Sequence, residues 1–210
     1  MYMKIKSLLT IIATFICCFA VQAQESALLQ SFTQNLKANS DLISTIQCSF
    51  TQTRSVAVLA KDVIKSGKFY FAKPNNMLLA FNDGDHIKMT EEWFEMKTKG
   101  NTNAMKVSAN PMLKNLNSIL SACMIGDIEQ MMRGFDAKVE SDAKEWLVVM
   151  TPMRGKTSAK VSQIELRFDK GDMSLNSMKM AEKTGDYTLY RFSNKSFNKA
   201  IDAKLFNIVQ

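Results

Sequence analysis

Residues 66–84 read SGKFYFAKPNNMLLAFNDG, from Ser66 to Gly84. Lys68–Phe71 has the character of one β-strand and Met77–Phe81 of the next. The segment Ala72–Asn76 is a turn between them, because proline cannot donate to a strand ladder and asparagine tolerates turn geometry. Side chains alternate across a strand, so Phe69 and Phe71 share a face, as do Met77, Leu79 and Phe81. Five large apolar groups thus line one side of a hairpin. So apolar a sheet must bury that side against a core or covering helices, or hold an apolar ligand there; the second and third together are expected.

The surrounding chain repeats the pattern. Ile46, Cys48 and Phe50 alternate with polar residues, and Val56–Ile64 is expected as a further strand leading through Ser66-Gly67 into the hairpin. Beyond the Asn82-Asp83-Gly84 turn, Ile87, Met89, Trp93 and Phe94 suggest more strand, ending at a Lys99-Gly100-Asn101 turn. Strands are expected at Phe135–Val139, Trp146–Met150, Val161–Phe168, Leu175–Met180, Tyr187–Phe192 and Leu205–Val209. Turn signals at Ser141-Asp142, Arg154-Gly155, Lys170-Gly171 and Gly185-Asp186 separate them. Such regular spacing predicts a mainly β protein with some α: one large curved antiparallel sheet, or a barrel.

Two segments have helical period instead. Leu28, Leu29, Phe32 and Leu36 make an amphipathic helix from Glu25 to about Lys37, broken by Asn39-Ser40-Asp41. Asn110-Pro111 opens a second, with an N-cap residue followed by proline at the first helical position. There Met112, Leu116, Leu120 and Met124 recur every four residues, flanked by Leu113, Ile119 and Cys123, and Gly126 is placed as its C-terminal stop. The helix is apolar over more than one stripe, so it is expected to contact two things; the two helices would cover one opening of the sheet or fill its interior.

At 210 residues with 46% hydrophobic content, the chain suffices for one domain with a substantial core. Residues 1–23 are expected to be a signal peptide: Lys4 and Lys6 precede an apolar run from Leu8 to Val21, and Val21-Gln22-Ala23 offers a cleavage site. Cys17 and Cys18 lack the small residues that precede a lipidated cysteine. The expectation is an exported protein, soluble after cleavage, with a single domain over residues 24–210. Loss of Lys4 and Lys6 takes the formal charge from +7 to +5. That basic surface could meet anionic headgroups or simply aid solubility, while export and dispersed lysines argue against nucleic acid. Cys48 and Cys123 remain; export permits a disulfide between them, and buried free thiols are the plainer reading.

Catalytic and metal chemistry find little support. His86, the single histidine, has no nucleophile beside it in sequence and reads as a surface loop residue. One histidine and two separated cysteines make no zinc pattern, and no glycine-rich phosphate loop is present. Glu91, Glu92 and Glu95 read as a solvated edge. No cofactor is expected. The 15 methionines are the unusual feature: flexible and polarizable, they suit either filled cores or surfaces that accept varied apolar partners. Met77, Met112, Met124, Met178 and Met180 lie on the expected apolar faces.

Ile46–Gln52 after an amphipathic helix, Gly67–Pro74 and Asn82–Gly84 resemble the LolA-type lipoprotein carriers. So do Asn110–Leu113, Ile164–Phe168, Gly185–Phe192, and Asn198, Ile201-Asp202 and Phe206 at the end. The resemblance spans essentially residues 24–210 and rests on the order and spacing of these motifs. It implies an incomplete barrel with lid helices and a cavity for acyl chains, no enzyme activity, and a periplasmic monomer. Its partners would be acylated lipoproteins or another lipid ligand, an inner-membrane loading complex and an outer-membrane acceptor. A sensor or binding module on the same fold is the alternative. Phe69, Phe71, Met77, Leu79 and Phe81 are the expected sheet lining, with Leu116 and Leu120 on the lid. Better-known members carry an arginine before the hairpin proline that bonds to the lid; here Lys73 stands there as the latch candidate, without the planar fork. Asp85–Met89 also lacks the family's aromatic pair, which makes this a divergent branch.

Overall fold

In the computed structural model, residues 26–59, 61–109, 119–153 and 160–208 are described. The expected signal peptide, the first part of the second helix with Leu116 and Met112, and the Arg154-Gly155 turn lie outside them. Eleven strands form one sheet in which every neighbouring pair is antiparallel. They are β1 (Thr45–Ser55), β2 (Val63–Ala72), β3 (Asn76–Phe81), β4 (His86–Met89), β5 (Trp93–Thr98) and β6 (Asn101–Lys106), then β7 (Phe135–Ser141), β8 (Glu145–Pro152), β9 (Val161–Asp169), β10 (Leu175–Glu182) and β11 (Tyr187–Phe197).

The strand order is β6-β5-β4-β3-β2-β1-β11-β10-β9-β8-β7. β1 therefore sits at the centre, with β2 on one side and β11 on the other, and stitches the two halves of the chain together. β6 and β7 are the two edges and do not pair, so the barrel stays open. The chain that runs from one edge to the other, between β6 and β7, is the part that carries the later helices. These are α2, described over 119–125, and α3 (Ile128–Met132); α1, described over 26–41, precedes β1.

Each strand buries one face, as period-two alternation requires. In β8, for example, Trp146, Val148 and Met150 are buried while the residues between them are half-exposed. α1 covers part of that face. Its Phe32 is fully buried between Trp146 of β8 and Phe168 of β9, with ring centroids 5.8 and 5.2 Å away. Gly126, at φ +73°, ends α2 in the left-handed conformation that glycine tolerates. A Cβ there would lie 2.2 Å from Ser40 Oγ, so the same glycine lets α2 end directly against the end of α1.

Several sequence expectations are corrected. α1 continues through residue 41 rather than breaking at Asn39-Ser40-Asp41, and Ser40 is buried near its end. Val56–Ile64 is not a strand: β1 runs to Ser55, a loop follows, and β2 starts at Val63. Ser66-Gly67, expected as the lead from that strand into the hairpin, lies inside β2, paired with Thr51 and Phe50 of β1. The tail expected as a strand at Leu205–Val209 forms a 3₁₀ turn over Ala203–Phe206, capped by the Asp202 carboxylate, which accepts from the Lys204 amide; Val209 lies outside the described residues. β11 already has strands on both sides, so the tail that follows it has no free edge beside it to join. It packs instead across the outer face of the sheet against β3, where Leu78 and Phe206 are buried.

Candidate ligand cavity

The inner face of the curved sheet and the lid helix enclose a cavity of about 400 Å³, within the range of roughly 300–1,000 Å³ usual for small-molecule sites. Phe69 of β2 and Leu79 and Phe81 of β3 line its sheet side; Ile119 and Leu120 of α2 line its helical side. Phe50 and Phe81 stack edge-on at 5.1 Å, and Phe69 meets Phe192 of β11 at 5.3 Å. These contacts fix the aromatic wall as a surface with defined shape.

Of the expected lining residues, Phe69, Leu79, Phe81 and Leu120 reach the cavity. Phe71 and Met77 are fully buried in the core near the hairpin turn and do not line it. Leu116 lies outside the described residues. The lining extends much further round the sheet than the hairpin. Ile87 and Met89 of β4, Phe94 and Met96 of β5, Phe135 of β7, Ile164 of β9, Met178 and Met180 of β10, and Tyr190 and Phe192 of β11 all take part. The alternation in those strands carried the signal, since each is an apolar residue on the inner face of its strand. Of the methionines singled out from sequence, Met178 and Met180 line the cavity and Met77 and Met124 are core; Met89 and Met96, not singled out, also line it.

The hairpin turn lies outside the cavity and touches both helices. The Lys73–Pro74 peptide is cis. Lys73 Nζ donates to the Ser40 carbonyl at the end of α1, 2.8 Å away, where a cation also complements the helix dipole. Ser40 Oγ donates in turn to the Ile125 carbonyl at the end of α2, 3.0 Å away. Asn75 Oδ1 accepts from Ser121 Oγ in the same helix. One turn of the sheet is thus hydrogen-bonded to both helices, and α1 is bonded to α2.

Away from this turn, the titratable groups singled out from sequence pair with one another or are buried. His86 is in β4, not in a loop, and its Nε2 lies 2.7 Å from Oε1 of Glu95. Glu95, expected on a solvated edge, is 0% exposed. It is the carboxylate partner of His86 and of Lys88, whose Nζ is 3.2 Å away and also donates to the Asn207 carbonyl of the tail. A buried carboxylate needs such partners. Glu91 and Glu92 are exposed as expected. Among the described residues, no group of His, Cys, Asp and Glu is placed to hold a metal ion. Cys48 and Cys123 are both free and buried; burial pushes the Cys48 thiol up to about 12, against the pull of Lys195 and Lys68, and raises Cys123 as well. Both are protonated, unreactive thiols at neutral pH.

A curved antiparallel sheet with helices over an apolar cavity is an architecture able to shelter an apolar ligand. The family model of the outer membrane lipoprotein carrier protein LolA matches residues 41–209, and the chain belongs to that family. No match was found among curated proteins. Similar solved structures include an uncharacterized conserved protein from Thermus thermophilus, 11% identical, with a TM-score of 0.53 over 87% of this chain and 94% of that one. Another is a Vibrio parahaemolyticus domain provisionally described as an outer membrane lipoprotein-sorting protein, 11% identical, with a TM-score of 0.51 over 84% and 95%. At that identity the likeness is one of fold. The architecture is that of carriers of lipoproteins and other apolar ligands, and among the described residues no helix is long and apolar enough to cross a membrane.

Proposed function

We propose that the protein is a periplasmic carrier that takes up the acyl chains of lipoproteins and ferries them toward the outer membrane as a monomer. One observation carries this reading: the cavity is walled by Phe69, Leu79 and Phe81 on one side and by Ile119 and Leu120 of the helix on the other. No bond chemistry is required. Each methylene moved from water into such a wall contributes roughly 0.8 kcal/mol, which keeps a chain enclosed in transit. Release then requires an acceptor that favours the open state, because a partner shifts a conformational equilibrium only through differential affinity. An inner-membrane loading complex and an outer-membrane acceptor fit those two steps. Lys73 serves as the latch that holds the helices over the loaded cavity.

Aspartate in place of Leu79 puts a charge on the apolar wall. Binding of a palmitoylated peptide is expected to fall by more than about tenfold. Because Leu79 is buried, the half-buried lining residue Met180 is tested in parallel as Met180→Glu, with circular dichroism to verify the fold. Unchanged binding in both folded variants overturns the assignment of this cavity. Recovery of a free lipid instead of a lipoprotein favours the binding or sensor module over the carrier.

A further inference from the structure

The cavity lining changes character along the strands in one direction. On β1 the inward residues run from Phe50, which is buried, through Gln52 to Arg54, which is exposed. That is about 13 Å at roughly 3.3 Å per residue. The register sets Gln52 beside Lys65 of β2 and Tyr190 of β11, and Arg54 beside Thr188. Gln52 Nε2 donates to the Tyr190 hydroxyl at 2.5 Å, a polar band between the aromatic wall and the charged mouth. Along β9 and β10 the same gradient runs from Ile164 to Lys160, just before β9, and from Met178 to Glu182. The site is apolar at depth and ionic at the mouth, which is the profile of an amphiphile.

The sign of the mouth follows from which charges are already engaged. Lys65 is held by Asp83 and Asp85 at 2.8 and 2.7 Å. Among the described residues, Arg54, Lys97 and Lys160 make no ion pair. All three line the cavity, and among the described residues Glu182 is the only carboxylate lining it other than the engaged Asp85. Three uncommitted cations thus face one carboxylate.

We propose that the mouth selects an anionic head: the preferred occupant is an acyl amphiphile bearing a phosphate or carboxylate at its polar end, held by Arg54, Lys97 and Lys160. This rests on the acyl-binding reading of the cavity above and adds the chemistry of the head. The arginine can engage an oxyanion through two parallel N–H donors, and the lysines act as flexible point charges.

Titration calorimetry with ligands of one chain length, below their micelle concentrations, tests it. Palmitate and palmitoyl lysophosphatidylglycerol carry the two anions; palmitoyl lysophosphatidylcholine and monopalmitoylglycerol are zwitterionic and neutral. At low salt the anionic ligands are expected to bind about tenfold more tightly, and the advantage shrinks as salt screens the exposed mouth. In the R54Q/K97Q/K160Q variant the preference is expected to collapse while monopalmitoylglycerol binds as before, which also shows that the variant is folded. A preference for only one of the two anions fixes whether the head is phosphate or carboxylate. Equal binding of neutral and anionic ligands by the unaltered protein, or a preference without salt dependence, overturns the headgroup assignment and leaves acyl binding standing. Failure of all four ligands to bind overturns both.

Discussion

Gly67 stands inside β2, opposite Phe81 of β3 and Phe50 of β1. A Cβ at this position would lie 2.0 Å from the Ala80 carbonyl oxygen and 2.9 Å from the Phe50 ring. Backbone cannot yield as a side-chain tip can, so Gly67→Ala is expected to cost about 1–3 kcal/mol, read as a lower urea midpoint. From sequence this glycine reads only as the lead into the hairpin, because close approach by a neighbouring strand leaves no trace in local residue order. A second residue-scale effect comes from Cys48. Burial raises its folded pKa to about 12 from an ordinary value of 9.0. The unfolded thiol therefore ionises first as pH rises, and stability is unaffected below about pH 9 and declines between about 9 and 12. Urea midpoints at pH 8 and pH 10 are expected to differ more in the unaltered protein than in Cys48→Ala. An equal difference in both would place the pH dependence elsewhere.

Among the elements, the strands from β7 to β11 were legible because each alternates apolar and polar residues between turn signals. β6 was not. All six of its residues are exposed, and Asn101-Thr-Asn-Ala-Met-Lys106 has no apolar alternation, as suits an edge strand that pairs on one side only. The hairpin was read correctly as apolar on one face, yet Phe71 and Met77 do not reach the cavity. Strand periodicity gives the face of a sheet but not how far along it the helices press. The turn between β2 and β3 is where the helices are tied down, and the latch assigned to Lys73 makes a direct prediction. Lys73→Met removes the donor to the Ser40 carbonyl and is expected to cost about 1–2 kcal/mol. Amide hydrogens near the ends of α1 and α2 should then exchange faster, while those of β1 and β11 keep their protection. Lys73→Arg should restore slow exchange. Acceleration spread evenly over sheet and helices would show general destabilisation and remove the latch.

At the scale of the molecule, the sheet is central and the helices are the part that the proposed release would move. β1 joins both halves of the chain, whereas α2 and α3 belong to the connection between two unpaired edges. That division suits a protein whose sheet must stay rigid while its cavity is filled and emptied. The order of motifs along the chain pointed to this class, but the cavity's extent across β4, β5, β9, β10 and β11 became visible only when the sheet's order brought those strands to one wall. The central claim, that this wall shelters acyl chains in transit, is tested most directly by native mass spectrometry of the protein isolated from its own compartment, with extraction of whatever is bound. The account predicts a one-to-one complex whose released ligand is an acylated lipoprotein, absent from Leu79→Asp and Met180→Glu. An empty protein with no affinity for acylated peptide would contradict it.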